Sequence, residues 1–214
     1  MNYAILISGR GSNMCALLDA GLPGRAAVVI SDRPGVAGLD LARERGVATA
    51  VIDRKSFAGR EAFEAALALE LDRHDVALVM LAGFMRILGD GFVARYAGRM
   101  LNIHPSLLPA FPGLDTHARA LAAGVRIHGC TVHFVTPTLD AGPIVIQAAV
   151  PVLEGDDPDA LAGRVLAREH VIYPLAARWF LEGRLELGPD GRVRCAGGIA
   201  GAGGPDALIA PWEA

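Results

Sequence analysis

The sequence predicts an α/β fold in which helices cover both faces of a doubly wound, mostly parallel sheet. Short apolar runs alternate in the first half of the chain with longer, helix-like segments. The apolar runs are continuous, which is typical of strands buried on both sides of a parallel sheet. In the C-terminal half, two apolar segments are joined by a connection too short for a helical crossover, so an antiparallel pairing is expected there.

Strands and helices are predicted to alternate up to the middle of the chain. The predicted strands are residues 3–8, 26–31, 49–52, 77–81 and 100–103, and the predicted helices are residues 13–20, 36–45, 60–73 and 91–96. In the third helix, a stripe with helical spacing indicates the buried face. Its members are Phe63, Ala66, Leu67, Leu69 and Glu70.

The segment HPSLLPAFPGLDTH, residues 104–117, changes the pattern because its three prolines and one glycine exclude a helix or a central strand. We expect a loop at the carboxyl end of the fifth strand, where ligands gather in open parallel sheets. Beyond it we predict a helix, two strands and a long closing helix that Pro174 kinks or divides. These elements are residues 116–123, 127–135, 144–150 and 157–182.

Length and composition favour one catalytic domain followed by a tail. A chain of 214 residues with 52% hydrophobic content can bury a sizeable core. We assign residues 1–187 to this domain and residues 188–214 to a tail rich in glycine and proline, of which 197–207 is expected to be flexible. No internal repeat is apparent.

Charge and hydropathy favour small-molecule partners over nucleic acid or membrane. The formal net charge is −3, the pI is near 6.1, and no run of Lys or Arg is present. No segment resembles a signal peptide or a membrane span, so a cytoplasmic protein is expected. Three widely spaced cysteines and six histidines without metal-ligand spacing predict neither disulfides nor a metal site.

The segment SGRGSN, residues 8–13, lies between the first strand and the first helix and indicates a phosphate site. Gly9 and Gly11 allow close approach of the backbone to an anion, while Ser12, Asn13 and the helix start supply donors and favourable potential. Two alternatives remain open, a tight turn with a capping serine and a dinucleotide fingerprint. Asp32 resembles the ribose-binding acid of that fingerprint, but Met14 replaces its third glycine.

Asn102 and His104 stand two residues apart at a strand end, and Asp140 follows in the segment TLDAGP. If the two later strands bring Asp140 near His104, its carboxylate would favour the imidazolium form. Such a cation, together with the amide of Asn102, suits the stabilisation of an oxyanion. Individually, His104 and Asp140 also fit a structural histidine and a turn aspartate.

Seven motifs in the same order resemble the phosphoribosylglycinamide formyltransferases, over roughly residues 1 to 185. They are GRGSN, LAGFMRIL (81–88), LNIHPSLLP (101–109), FPGLDTHARAL, HGCTVHFV (128–135), LDAGPIVIQ (139–147) and REHVIYP (168–174). The resemblance implies a formyltransferase-type fold. It also implies transfer of the formyl group of the co-substrate 10-formyltetrahydrofolate to the amine of glycinamide ribonucleotide, in purine synthesis and without a metal.

The resemblance also implies a role for each matching residue. Asn102, His104 and Asp140 match the catalytic residues, while Gly11, Ser12, Asn13 and Glu169 match the ribonucleotide site. The residues that match the folate side are Arg60, Met85, Arg86, Ile87, Leu88, Asn102, Thr136, Pro137, Thr138 and Leu139. A monomer or a homodimer is expected. Arg10 lies at a variable point of the phosphate loop, and the tail after Gly188 has no counterpart.

Three rival functions are weighed against this one. Methionyl-tRNA formyltransferases and formyltetrahydrofolate deformylases share the Asn, His and Asp. The first usually carry a further carboxyl-terminal domain that binds nucleic acid, and the second an extra amino-terminal regulatory domain; we expect neither here. A nonenzymatic nucleotide-binding module would leave Asn102, His104 and Asp140 without a task. We therefore expect direct transfer, in which the amine attacks the formyl carbon without a covalent enzyme intermediate.

Overall fold

A computed structural model of the protein describes residues 1–196 and the backbone of residues 208–210. The chain divides into two compact units. The first comprises Met1–Asn102 and Val135–Pro137, and the second comprises Ile103–Phe134 and Thr138–Ala214. The predicted flexibility of residues 197–207 lies outside the described residues. The assignment of residues 1–187 and 188–214 to a domain and a tail stays a prediction.

The first unit is a parallel sheet with helices between its strands. Its strand order is β5-β4-β1-β2-β3, and each neighbouring pair is parallel. The last two residues of β5 belong to the second unit. The elements are β1 (Asn2–Ile7), α1 (Ser12–Asp19), β2 (Arg25–Ser31), α2 (Ala37–Glu44), β3 (Thr49–Val51), a 3-10 turn (Arg54–Ser56), α3 (Arg60–Arg73), β4 (Val76–Leu81), α4 (Asp90–Arg95) and β5 (Met100–His104).

Helices cover both faces of this sheet because its strands are apolar on both sides. Leu6 of β1 shares one buried cluster with Phe63 and Leu67 of α3. Ile7, the next residue of β1, points to the opposite face, where a Cβ on Gly38 of α2 would lie 2.6 Å from its Cδ1. The sheet is therefore doubly wound, as predicted.

The second unit combines an antiparallel pair with helices. Strands β6 and β7 pair antiparallel, and helix α6 packs on both of them. Its elements are α5 (Thr116–Ala122), β6 (Ile127–Phe134), β7 (Ile144–Pro151), α6 (Pro158–Leu181), the antiparallel strands β8 (Leu185–Leu187) and β9 (Val193–Cys195), and β10 (Leu208–Ala210), which pairs antiparallel with β7. The predicted fold class, with its antiparallel pairing in the C-terminal half, is confirmed.

Two details of the prediction are wrong. Helix α6 runs from Pro158 to Leu181 as one helix, so the alternative in which Pro174 divides it is wrong, while the alternative of a kink stays a prediction. The buried residues Tyr173, Ala176 and Ala177 anchor the helix on both sides of the proline. In α3, Leu69 is 55% exposed, and the buried face is instead formed by Phe63, Glu64, Leu67, Ala68 and Leu71. Within residues 1–196 and 208–210, no helix has the length and apolar character that a membrane crossing requires.

Candidate active site

The loop between β1 and α1 forms a cavity of about 240 Å³ in the first unit. This volume is below the roughly 300–1,000 Å³ typical of pockets for drug-sized ligands, so it fits a small group such as a phosphate. The predicted phosphate residues Gly11, Ser12 and Asn13 all line it. The full lining consists of Ser8, Gly9, Arg10, Gly11, Ser12, Asn13, Ala82, Gly83 and Met85.

Helix α1 begins at this cavity without a side-chain cap. Its capping position is Gly11, with φ of 80°, and the first turn contains no acidic residue. Gly11 thus supplies no side chain to the amide groups of the first turn or to the helix dipole, which favours an anion. A Cβ on Gly11 would lie 2.9 Å from Cα of Gly38, so a side chain is excluded on two grounds.

The segment 85–88, predicted to bind folate, is held at both ends by hydrogen bonds within the first unit. The N–H of Met85 donates to Oγ of Ser8 at 2.8 Å. The N–H of Gly89, directly after the segment, donates to Oε1 of Glu64 at 2.7 Å. Met85 and Ile87 expose 56% and 66% of their surface, respectively, so two apolar side chains stay accessible between fixed ends.

Both arginines predicted for the folate side pair with a buried carboxylate. Nε of Arg86 lies 2.5 Å from Oδ2 of Asp32, and Nε of Arg60 lies 3.8 Å from Oε1 of Glu64. Asp32 is fully buried and Glu64 nearly so. Sequence reasoning missed both carboxylates in this capacity. Asp32 and Arg86 are 54 residues apart and leave no local pattern. Arg60 and Glu64, in contrast, have the i,i+4 spacing of a helical ion pair, which could have been read from the sequence.

In the second unit, His104 and Asp140 are brought together, as predicted. Nδ1 of His104 lies 3.5 Å from Oδ2 of Asp140. Nε2 of His104 lies 3.0 Å from the carbonyl oxygen of Phe111. A carbonyl and a carboxylate only accept hydrogen bonds, so both ring nitrogens meet acceptors. A neutral imidazole can donate to only one of these two acceptors, whereas an imidazolium can donate to both.

Asp140 is itself fixed by the loop that precedes α5. The N–H of Gly113 donates to Oδ2 of Asp140 at 2.8 Å, and Asp140 has a φ of 52°, in the left-handed region. Oδ1 of Asp140 lies 3.9 Å from Nε2 of His133. Nδ1 of His133 donates to the carbonyl of Phe134, and burial lowers the pKa of His133, so Nε2 carries a lone pair in the neutral ring.

The proline-rich loop after His104 is tied to β6 and β7. Oγ1 of Thr131 donates to the carbonyl of Ser106 and accepts from the N–H of Leu108. Nε2 of Gln147 donates to the carbonyl of Leu108. Because Phe111 and Gly113 belong to this loop, the tethers also position the groups that contact His104 and Asp140.

The other predicted residues lie as follows. Asn102 stands two residues before His104 in β5, so the period of the strand points both side chains to the same face. Glu169 is buried on α6, and its charge, added to burial, raises the pKa of Cys130.

The remaining residues predicted for the folate side differ in exposure. Pro137, Thr138 and Leu139 are exposed, Thr136 is half-buried, and Leu88 is buried. Among the described residues, no group of His, Cys, Asp or Glu is arranged to hold a metal ion.

Known proteins share this sequence and architecture. Residues 1–177 match the formyl transferase family. The phosphoribosylglycinamide formyltransferase of Escherichia coli is 49% identical over 87% of this chain and 90% of that protein. The structure of glycinamide ribonucleotide transformylase 1 from Symbiobacterium toebii superposes with a TM-score of 0.89 at 51% identity, covering 91% of this chain and 93% of that chain.

A solved structure that is named for a different activity is also similar to this chain. Formyltetrahydrofolate deformylase from Burkholderia mallei superposes with a TM-score of 0.82 at 29% identity, covering 91% of this chain and 69% of that chain. The resemblance predicted from the sequence motifs is confirmed. The chain belongs to the formyl transferase family.

Proposed function

We propose that this protein is a phosphoribosylglycinamide formyltransferase of de novo purine biosynthesis. It transfers the formyl group of 10-formyltetrahydrofolate to the amine of glycinamide ribonucleotide and releases tetrahydrofolate. The observation that carries this proposal is the phosphate-sized cavity at the start of α1 in a chain of the formyl transferase family. A ribonucleotide acceptor uses such a cavity, whereas hydrolysis of the formyl-folate has no phosphate ester to bind.

The ribonucleotide is assigned to four residues. Gly11, Ser12 and Asn13 bind its phosphate through backbone amides and short polar side chains at the uncapped helix start. Glu169 holds the ribose or the amine end. Its place in the segment REHVIYP, which resembles the corresponding motif of the family, supports this role.

The folate co-substrate is assigned to two segments. The first comprises Met85, Arg86, Ile87 and Leu88, with Arg60 on α3. The exposed apolar side chains of Met85 and Ile87, held between fixed ends, support its assignment to the pterin. The second segment is Thr136, Pro137, Thr138 and Leu139, which we expect to close over the ring, with Asn102 at the edge of the site.

The chemical step is a direct transfer. The lone pair of the neutral amine forms a bond to the formyl carbon, and the carbonyl electron pair moves to oxygen. The imidazolium of His104 and the amide of Asn102 stabilise this oxyanion; loss of one such donor typically costs roughly 100- to 1,000-fold in rate. The oxyanion then reforms the carbonyl as the bond from carbon to N10 breaks, and the proton of the amine passes to N10 through a water.

Asp140 keeps the imidazolium charged and oriented. In the structure, Nε2 of His104 donates to Phe111. The proposed mechanism therefore requires Nε2–H to exchange the carbonyl of Phe111 for the formyl oxygen when the substrates bind. Nitrogen NMR of His104 with a bound folate analogue tests this step, because an Nε2 signal that does not change on binding contradicts it.

The decisive experiment measures turnover of 10-formyl-5,8-dideazafolate with and without glycinamide ribonucleotide. We expect product only when the ribonucleotide is present. Release of formate without it assigns the protein to the deformylases. Binding of the ribonucleotide without turnover indicates a nucleotide-binding module. A cytoplasmic location and a monomeric or homodimeric state remain part of this proposal.

A further inference from the structure

Asp32 is a buried carboxylate that the proposed chemistry does not use. It follows β2 directly, and its side chain is completely buried. Oδ1 has no hydrogen-bond partner among the described residues. Burying a carboxylate with one unpartnered oxygen costs free energy, so the contacts that Asp32 does make must offset this cost.

The backbone around Asp32 is held in place on both sides. Oγ of Ser31 accepts from the N–H of Arg33 at 3.1 Å and donates to the carbonyl of Arg33 at 2.7 Å. The N–H of Arg54 donates to the carbonyl of Asp32 at 3.1 Å. Hydrogen bonds therefore hold the backbone on both sides of Asp32 in one conformation.

From this position, Asp32 binds one particular nitrogen of Arg86. The contact joins Oδ2 to Nε at 2.5 Å across 54 residues of sequence. Among the described residues, the two terminal nitrogens of Arg86 have no partner, and the side chain is 33% exposed. Arg86 is thus anchored at its inner nitrogen and keeps its planar fork of donors accessible.

We propose that Asp32 is a positioning residue that orients Arg86, and with it segment 85–88, for the folate co-substrate. This inference rests on the proposed function. Ser8 and Glu64 fix the ends of the segment, and Asp32 fixes its centre. The third contact sets the direction of the one cationic side chain between the two exposed apolar ones, Met85 and Ile87.

Arg33 provides a matched control because it faces the same carboxylate. Its Nε lies 3.8 Å from Oδ2 of Asp32, and its side chain is 51% exposed. If Asp32 acted only through its charge, replacing Arg33 and replacing Arg86 would change the folate KM equally. If Asp32 orients segment 85–88, only the replacement of Arg86 changes this KM.

The test is a double-mutant cycle of Asp32→Asn, Arg86→Gln and their combination, with Arg33→Gln as control. KM for 10-formyl-5,8-dideazafolate is measured at saturating ribonucleotide. We expect Asp32→Asn to raise this KM about fivefold or more, with kcat and the KM for ribonucleotide changed less than about twofold. In the Arg86→Gln background, Asp32→Asn should add no further increase. Arg33→Gln should leave all three constants within about twofold of the wild type.

Three results would overturn the inference. The first is an unchanged folate KM in Asp32→Asn. The second is a double variant in which the two single increases in folate KM multiply. The third is a kcat that falls in proportion to the fraction of folded, active enzyme while both KM values stay constant. The last result describes a purely structural Asp32. If Asp32→Asn fails to fold, Asp32→Glu keeps the charge but displaces it, and the same increase in folate KM is expected. A wild-type protein without turnover would refute the proposed function and this inference with it.

Discussion

Nδ1 of His104 lies 3.5 Å from Oδ2 of Asp140, and each side chain is only 7% exposed. At this depth, water screens the pair weakly, so the carboxylate stabilises a cationic ring effectively. In the proposed mechanism, this carboxylate is the group that stabilises the cationic ring of His104. This role leads directly to the first prediction.

Asp140→Asn should lower kcat by about 10- to 100-fold and change either KM by less than about threefold. The amide keeps the acceptor for Gly113 and tolerates the left-handed φ of 52°, but it removes the charge beside His104. Steady-state kinetics with both substrates measure the effect. Asp115→Asn is the matched control, because Asp115 also has a left-handed φ and is exposed. Equal losses in both variants would contradict the prediction.

His104→Ala should lose roughly 100- to 1,000-fold in kcat while the Kd for the folate analogue stays within a few-fold of the wild type. The variant removes the donor to the oxyanion, which exists only in the transition state. Calorimetric titration and single-turnover kinetics measure the two quantities. His74→Ala serves as control, since His74 pairs with Glu70 on α3. Activity of His104→Ala near that of the wild type would refute the proposed mechanism.

Ser12→Ala should raise the KM for glycinamide ribonucleotide about three- to tenfold and leave the folate KM unchanged. Ser12 lines the cavity at the start of α1, where the proposed function has its hydroxyl donate to the phosphate. Kinetics with each substrate varied in turn separate the two constants. Ser56→Ala, in the 3-10 turn, provides the control. A larger effect on the folate KM would place the ribonucleotide elsewhere.

Gly11→Ala should destabilise the protein by about 1–3 kcal/mol. The new methyl group would meet Cα of Gly38 at 2.9 Å, and φ of 80° disfavours any L side chain. Gly9→Ala is the matched control, because the same methyl group meets no heavy atom within 4 Å and φ there is not left-handed. Urea unfolding compares the two. Equal stability of both variants would show that the loop can relax.

The sequence predicted the elements that carry a strong local pattern. The continuous apolar runs of β1, β2 and β4 and the phosphate loop before α1 lie close to their predicted bounds. The strands β8 and β9, of three residues each, were not predicted; they lie on either side of the start of the segment rich in glycine and proline that was assigned to a tail. Local pattern thus accounts for the frame of the first unit but not for the short strands β8 and β9 of the second unit.

Contacts between distant residues account for the other failures. In α3, Ala66, Leu67, Ala68 and Leu69 are consecutive, so hydrophobicity alone does not select the buried face. The N–H of Gly89 needs an acceptor, and Glu64 is buried to supply it while Leu69 faces solvent. Asp32 likewise resembled a ribose-binding acid, whereas the structure pairs it with Arg86. Only the folded chain reveals such partners.

His128 should make the protein less stable below pH 6.5. Burial, with smaller contributions from His117 and His104, lowers the pKa of His128 from 6.5 to about 4, although the carbonyl of Pro105 opposes this. Between these values the unfolded chain takes up a proton that the folded protein does not bind. Stability is therefore complete above pH 6.5 and declines as the pH falls towards 4. By linkage, about 2 kcal/mol is lost between pH 7.5 and pH 5.

His128→Leu isolates this contribution, because other buried histidines also titrate. Burial likewise lowers the pKa of His117 and His170, so the wild-type pH profile contains more than one group. Urea unfolding of both proteins at pH 7.5 and pH 5 gives the difference in unfolding free energy at each pH. Leucine cannot take up a proton, so this difference should shift by about 2 kcal/mol in favour of the variant at the lower pH. If it stays constant, His128 takes up its proton equally in the folded and unfolded states.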